Sequence, residues 1–265
     1  MSRASEKLRT IDELPNDPLK MPPPYWRSSG AIFHLQTSLT TLERLFKRLP
    51  PLLDKTDAAE KAFYLKYRTK AARKAADDEY WKILTPLLSL EHKIKLNADI
   101  ACLMSAIQAE DTLNCFCVFN LHRHIAEGIE KLSSPEKLLI ACTSIGAPEV
   151  KGETVYEATK KLALWRNAFA HGHCVDRPTS SLRHNHLIYP SEYPGVPSIM
   201  KDTINMVSAY LILTDYLRSK SLNTFLRRRL VDDEEIRKSV RRLSAYSFRG
   251  TNYVYTIHVA NRMKA

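Results

Sequence analysis

Glycine is scarce in this chain, with only 7 among 265 residues. A hairpin-rich β fold needs glycine at turns where the backbone takes positive φ, so the shortage argues for helices. Long uninterrupted apolar runs are missing as well. The most apolar long stretch, residues 100–121, carries Glu110 and Asp111 at its middle, which a bilayer core tolerates only at high cost. The opening MSRASEKLRTIDELP has no apolar signal core, so secretion is not expected. Cysteines are few and odd in number: Cys102, Cys115, Cys117, Cys142 and Cys174. They lack the spacing of a disulfide framework and fit reduced thiols in a cytoplasm. Acidic residues are in deficit, 29 against 40 lysines and arginines, for a formal net charge of +11. Such a surplus favours acidic partners, nucleic acid first among them, with anionic membrane or acidic protein as alternatives.

What is present reads as helix. A hydrophobic fraction of 44% supplies a core, and no internal repeat is found. Residues 1–30 are polar and proline-rich, and are expected to form an extended arm. From Ala31 the pattern turns helical: Leu35, Leu39, Leu42, Phe46 and Leu49 recur at three- and four-residue steps until Pro50-Pro51. A second helix is expected from about Asp57 to Leu84, with Lys66, Arg68, Lys70, Arg73 and Lys74 on one face and Pro86 closing it. Leu87 to Lys131 reads as one long helix or two collinear ones, with a stripe through Ile94, Ala98, Ala101, Met104, Ile107, Leu113, Phe116, Phe119 and Ile125. Ser133-Ser134-Pro135-Glu136 then carries a capping box and an early proline, so a new helix starts there and ends near Gly146. Another is expected from about Glu153 to His171, with Tyr156, Leu162, Trp165 and Phe169 inward and Gly172 as its stop. A loop over 173–198 precedes a helix from Ile199 to about Phe225. Asp232 to Glu235 is expected to cap a last short basic helix. The tail TNYVYTIHV alternates like a strand, and one strand needs a partner. The expected fold is all-α: an arm (1–30), an N-terminal helical extension (31–86), an antiparallel helical bundle (87–247) and a small β-like tail (248–265).

One stretch concentrates chemistry. LWRNAFAHGHC, residues 164–174, sets Arg166 and Asn167 ahead of His171 at the end of an apolar helix. Upstream, Glu110 and Asn114 stand four apart on an apolar helix, and LSSPEKLL follows about 20 residues later. This arrangement over roughly residues 98–220 resembles the HEPN superfamily, whose motif is Arg-x-x-x-x-His. The resemblance implies a metal-independent endoribonuclease, a toxin or antiviral effector, with a composite site across a homodimer and no cofactor. An antitoxin or regulatory protein is a further partner it suggests.

The residue types suit that chemistry. Cleavage by the RNA's own 2′-hydroxyl needs a proton carrier and a cation for the phosphorane charge. His171 titrates near neutral pH and serves as base or acid. Arg166 stays protonated and offers planar donors to phosphate oxygens. Asn167 can orient the imidazole or donate to phosphate. Glu110 and Asn114 are supporting polar candidates, one of them to hold the arginine, unless they merely face solvent. Asn167 and His171, four apart, share a helix face, whereas Arg166 and His171 diverge by roughly 140°. Two such helices at a two-fold axis would bring both groups to one phosphate, hence a homodimer.

Blander readings stand beside this one. A histidine in a last helical turn is favoured by the helix dipole, and an arginine next to Trp165 can simply stack on it. An inactive HEPN-like module that binds RNA or a partner protein is the main alternative. A zinc-binding regulator is another, because His171, His173, Cys174, His184 and His186 crowd into sixteen positions. That spacing fits no finger pattern, so His173, His184, His186 and Arg183 are read as a basic loop contacting RNA, with no metal assigned. Cys115 and Cys117, like His122 and His124, are two apart on a helix and cannot share a ligand site. Arg227 to Arg229 and Arg237, Lys238, Arg241 and Arg242 offer further phosphate contacts, and Tyr253 and Tyr255 can stack on bases. The protein is expected to be cytoplasmic, with no membrane partner.

Overall fold

The computed structural model describes residues 23–66, 70–170, 196–220, 230–251 and 254–259. Seven α-helices run through them: α1 (Pro23–Lys66), α2 (Lys70–Asn120), α3 (Arg123–Gly128), α4 (Ser134–Ser144), α5 (Thr154–Ala170), α6 (Val196–Lys220) and α7 (Leu230–Ser244). A 3-10 turn, Pro148–Gly152, leads into α5. The fold is an all-α bundle, and no helix is long and apolar enough to cross a membrane among the described residues.

The 44-residue α1 and 51-residue α2 form the spine. Both outrun their expected ends. Helix α1 already starts at Pro23, inside the arm expected to be extended, and a proline is preorganised for a first helical turn. Pro50 and Pro51 lie within α1 and Pro86 within α2, where stops were expected. Each proline removes one N–H and crowds a carbonyl four residues back. Here Pro51 and Pro86 face solvent, so water can satisfy the freed carbonyls. Meanwhile Leu49 and Leu53 of α1, and Leu87 and Leu90 of α2, are buried on either side of the prolines. Packing overrides local propensity.

The 31–86 segment is therefore no extension set apart. Ile32, Leu35, Leu39, Leu42, Phe46 and Leu49 share one continuous core with Ile94, Ala98, Leu113, Phe116, Leu162, Val207 and Leu217. Helix α6 packs on α2 and α5, α5 on α2 and α4, and α7 on α1 and α6. Ile125, expected inside, is 41% exposed, because the chain breaks after Asn120 and restarts as the short α3. Cys102, Cys115, Cys117 and Cys142 are buried free thiols, and Cys174 lies outside the described residues. Phe119 and Phe169 have no described side chain.

Helix α4 begins as the capping box dictates. The Ser133 N–H donates to the Glu136 carboxylate at 2.9 Å, and the Ser133 hydroxyl donates to the same oxygen at 2.6 Å. These two bonds hold the Glu136 carboxyl below its ordinary 4.5. A depressed carboxyl contributes stability above its unfolded pKa and loses it as pH falls through the folded one. Ser133→Ala is therefore expected to lower the melting temperature at pH 7 and much less at pH 3, read by circular dichroism. Gly146, at φ 84°, turns the chain out of α4 as a glycine can.

At the other end, α7 starts at Leu230, so Asp232 to Glu235 fall inside its opening turns rather than before them. The tail finds its strand partner next door: β1 (Tyr246–Thr251) pairs antiparallel with β2 (Val254–Val259). Tyr246 packs on Phe46 of α1 with ring centroids 5.4 Å apart, which seats the hairpin against the spine.

Candidate active site

The site residues come from three helices that meet at the C-terminal half of α5. Glu110 on α2 is bridged by two cations. Its Oε2 pairs with the Arg166 guanidinium of α5, and its Oε1 lies 3.5 Å from the Lys137 amine of α4. Lys137 also donates to Asn114 Oδ1 at 3.0 Å. Glu110, Asn114 and Cys117 stand at helical steps of four and three, so one face of α2 presents all of them toward α4.

Burial is graded across the cluster. The Lys137 side chain is 2% exposed, Glu110 23% and Arg166 38%. The arginine side chain is thus held by Glu110 and still partly open to solvent. Asp111, next to Glu110, is buried as well. Burial pulls the Lys137 amine below its ordinary value, while the carboxylates of Glu130 and Asp111 pull it the other way. The Cys117 thiol is pushed up to about 12 by burial, which makes it a neutral neighbour and a poor nucleophile.

Adjacent positions on α5 point in different directions, as 100° per residue demands. Trp165 is buried in the core, Arg166 turns to α2, and Asn167 is exposed. Glu110 is thus the residue that reaches Arg166, and Asn114 holds Lys137 instead. His171, His173, Arg183, His184 and His186 lie outside the described residues, as do Arg227 to Arg229. Sequence spacing passed over Lys137. Its signal was register: it occupies the buried stripe of α4 together with Leu138, Ala141 and Cys142.

Helices α5 and α6 also line an open groove of about 570 Å³. Ala158 and Ala209 are small residues in its lining, Leu164 and Ile212 are exposed, and Glu157, Lys160, Lys161, Asn205 and Ser208 add polar groups. Among the described residues, no group of three or more His, Cys, Asp or Glu is placed to hold a metal ion. No protein-family model, curated protein or solved structure matches this chain.

Proposed function

We propose that this chain is a HEPN-type endoribonuclease that cleaves single-stranded RNA in the cytoplasm as a homodimer. The observation that carries the reading is the hold on Arg166. An arginine that only covered Trp165 would need no half-buried carboxylate behind it. This one is gripped by Glu110, itself fixed by Lys137, and stays partly open to solvent at the end of the motif helix. Such a preset cation suits a phosphodiester whose charge grows on the way to the phosphorane.

In the reaction, a base removes the 2′-hydroxyl proton, O2′ bonds to phosphorus, and the P–O5′ bond breaks as the leaving oxygen gains a proton. The products are a 2′,3′-cyclic phosphate and a 5′-hydroxyl. His171 carries the protons, Arg166 binds the phosphate and the phosphorane charge, and exposed Asn167 orients the imidazole or the phosphate. No metal enters the scheme.

Exposed cations on α1 (Arg44, Lys47, Arg48) and on α7 (Lys238, Arg241) favour a second reading, an inactive module that binds RNA through phosphate contacts. Two of these are engaged with acids, Lys238 with Glu235 at 2.7 Å and Arg241 with Glu234 at 3.7 Å, which weakens the case. The test is incubation of purified protein with single-stranded RNA in EDTA. Cyclic-phosphate products are expected from wild type and not from His171→Ala. RNA that is bound yet intact would replace the nuclease reading with the binding module.

A further inference from the structure

Lys137 is the most deeply buried charge of the site, and no step of the proposed reaction uses it. Removing an ammonium group from water is costly unless it meets opposite charge and hydrogen-bond acceptors, and here it meets both. At 2% exposure it cannot touch an RNA. What it touches is Glu110, the carboxylate that holds Arg166.

The charges inside this cluster decide its sign. Glu110 is shared by two cations, Lys137 and Arg166, so these three carry one net positive charge. Without Lys137, Glu110 would cancel Arg166, and a phosphate approaching the arginine would meet no net positive charge. Geometry adds a second effect. Lys137 draws Glu110 Oε1 toward α4, which leaves Oε2 directed at α5 and Arg166. Asn114, accepting at 3.0 Å, keeps the amine itself in place.

We infer that Lys137 is a positioning residue for RNA cleavage, fixing and neutralising Glu110 so that Arg166 keeps both its place and its positive charge for the scissile phosphate. The inference rests on the nuclease reading above. A lysine that only braced α4 against α2 would share this burial, but not its charge logic.

The full chain is compared as wild type, Lys137→Met, Glu110→Gln, the Glu110→Gln/Lys137→Met double variant and Arg166→Ala. Binding is measured with an uncleavable 2′-O-methyl RNA at low salt, cleavage with ordinary RNA, and folding by circular dichroism. Lys137→Met is expected to bind about tenfold more weakly, the loss of one charge at short range in a partly buried site. The double variant removes one charge of each sign, so its binding is expected within about threefold of wild type. Its cleavage stays slow, because a neutral glutamine grips Arg166 less firmly. A double variant that binds as weakly as Lys137→Met makes the lysine a brace and overturns the inference. Should Lys137→Met fail to fold, Glu110→Gln decides: tighter RNA binding with slower cleavage supports the inference, and weaker binding overturns it. If Arg166→Ala binds and cleaves like wild type, the nuclease reading itself falls. If Arg166→Ala is inert while folded Lys137→Met matches wild type, only the inference falls.

Discussion

Arg166→Ala and His171→Ala, each about 10²- to 10⁴-fold slower than wild type alone, are expected to regain roughly a quarter of wild-type cleavage when mixed. Random pairing makes half of the dimers mixed, and each mixed dimer keeps one intact Arg-His pair out of two. The expectation starts from helix geometry. Arg166 turns toward Glu110 on α2, while Asn167, one residue on, is exposed. His171 is five positions from Arg166, a separation of roughly 140° on an ideal helix, so one helix does not aim both at one phosphate. In the proposed homodimer, a two-fold axis would supply the missing group from the second copy.

The exposed α5–α6 face suits a pairing of two copies. Leu164 and Ile212, 49% and 38% exposed, flank the small Ala158 and Ala209 of the α5–α6 groove. Glu157 lies one turn from Lys160 and Lys161, so an antiparallel second copy of α5 would set acid against base on both sides. Unfolded and refolded together, the two inert variants exchange subunits, and fluorescence-quenched RNA reads the recovered rate. A mixture as inert as its components, at a concentration where sedimentation shows dimers, would rule out the shared site.

Much of this architecture was legible because its signals are local. The Ser133–Glu136 capping box lies within four residues, and the Ser133 N–H meets the Glu136 carboxylate where the spacing puts it. The apolar stripes of α1 and α2 predicted buried residues for the same reason: period 3.6 is a property of neighbouring turns. The prolines misled because their cost is local while the compensation is distant. Leu49 and Leu53 are buried in a core shared with Leu87 and Leu90, and nothing near Pro50 announces it. Lys137 and Arg218 escaped notice likewise. A buried charge is written in sequence only as a charged letter in an apolar register, and its partner sits on another helix. Glu110 and Arg166 were both singled out, but the link between them spans 56 positions and needed the packing of α5 on α2. The acidic run from Asp232 to Glu235 predicts a cap, yet Asp233 within it is buried between α7 and α6.

That acid, Asp233, sets the largest expected loss of stability: Asp233→Ala should cost about 3–5 kcal/mol. Its carboxylate is 1% exposed and joins α7 to α6 twice. One oxygen accepts from the Tyr210 hydroxyl at 2.5 Å, and the other pairs with Arg218, whose side chain is 7% exposed. Truncation takes the Asp233 carboxylate from a buried guanidinium, and the half-exposed Asp215 at 3.3 Å gives partial relief. Asp215 is already engaged by Arg237, which donates to its two oxygens at 2.5 and 2.6 Å. For a chain of this size, the loss corresponds to a melting temperature about 6–20 °C lower. Tyr210→Phe removes one hydrogen bond to the same carboxylate and leaves the ion pair, so about 1.5–3 kcal/mol is expected there. The ordering of the two variants is the informative result. If Asp233→Ala melts no lower than Tyr210→Phe, the ion pair contributes little, and the apolar seats of Ile236 and Leu243 hold α7 in place. If it melts far lower, charge holds α7 and the basic helix face to the bundle, and the loss of stability should appear in urea unfolding as a lower midpoint with an unchanged slope.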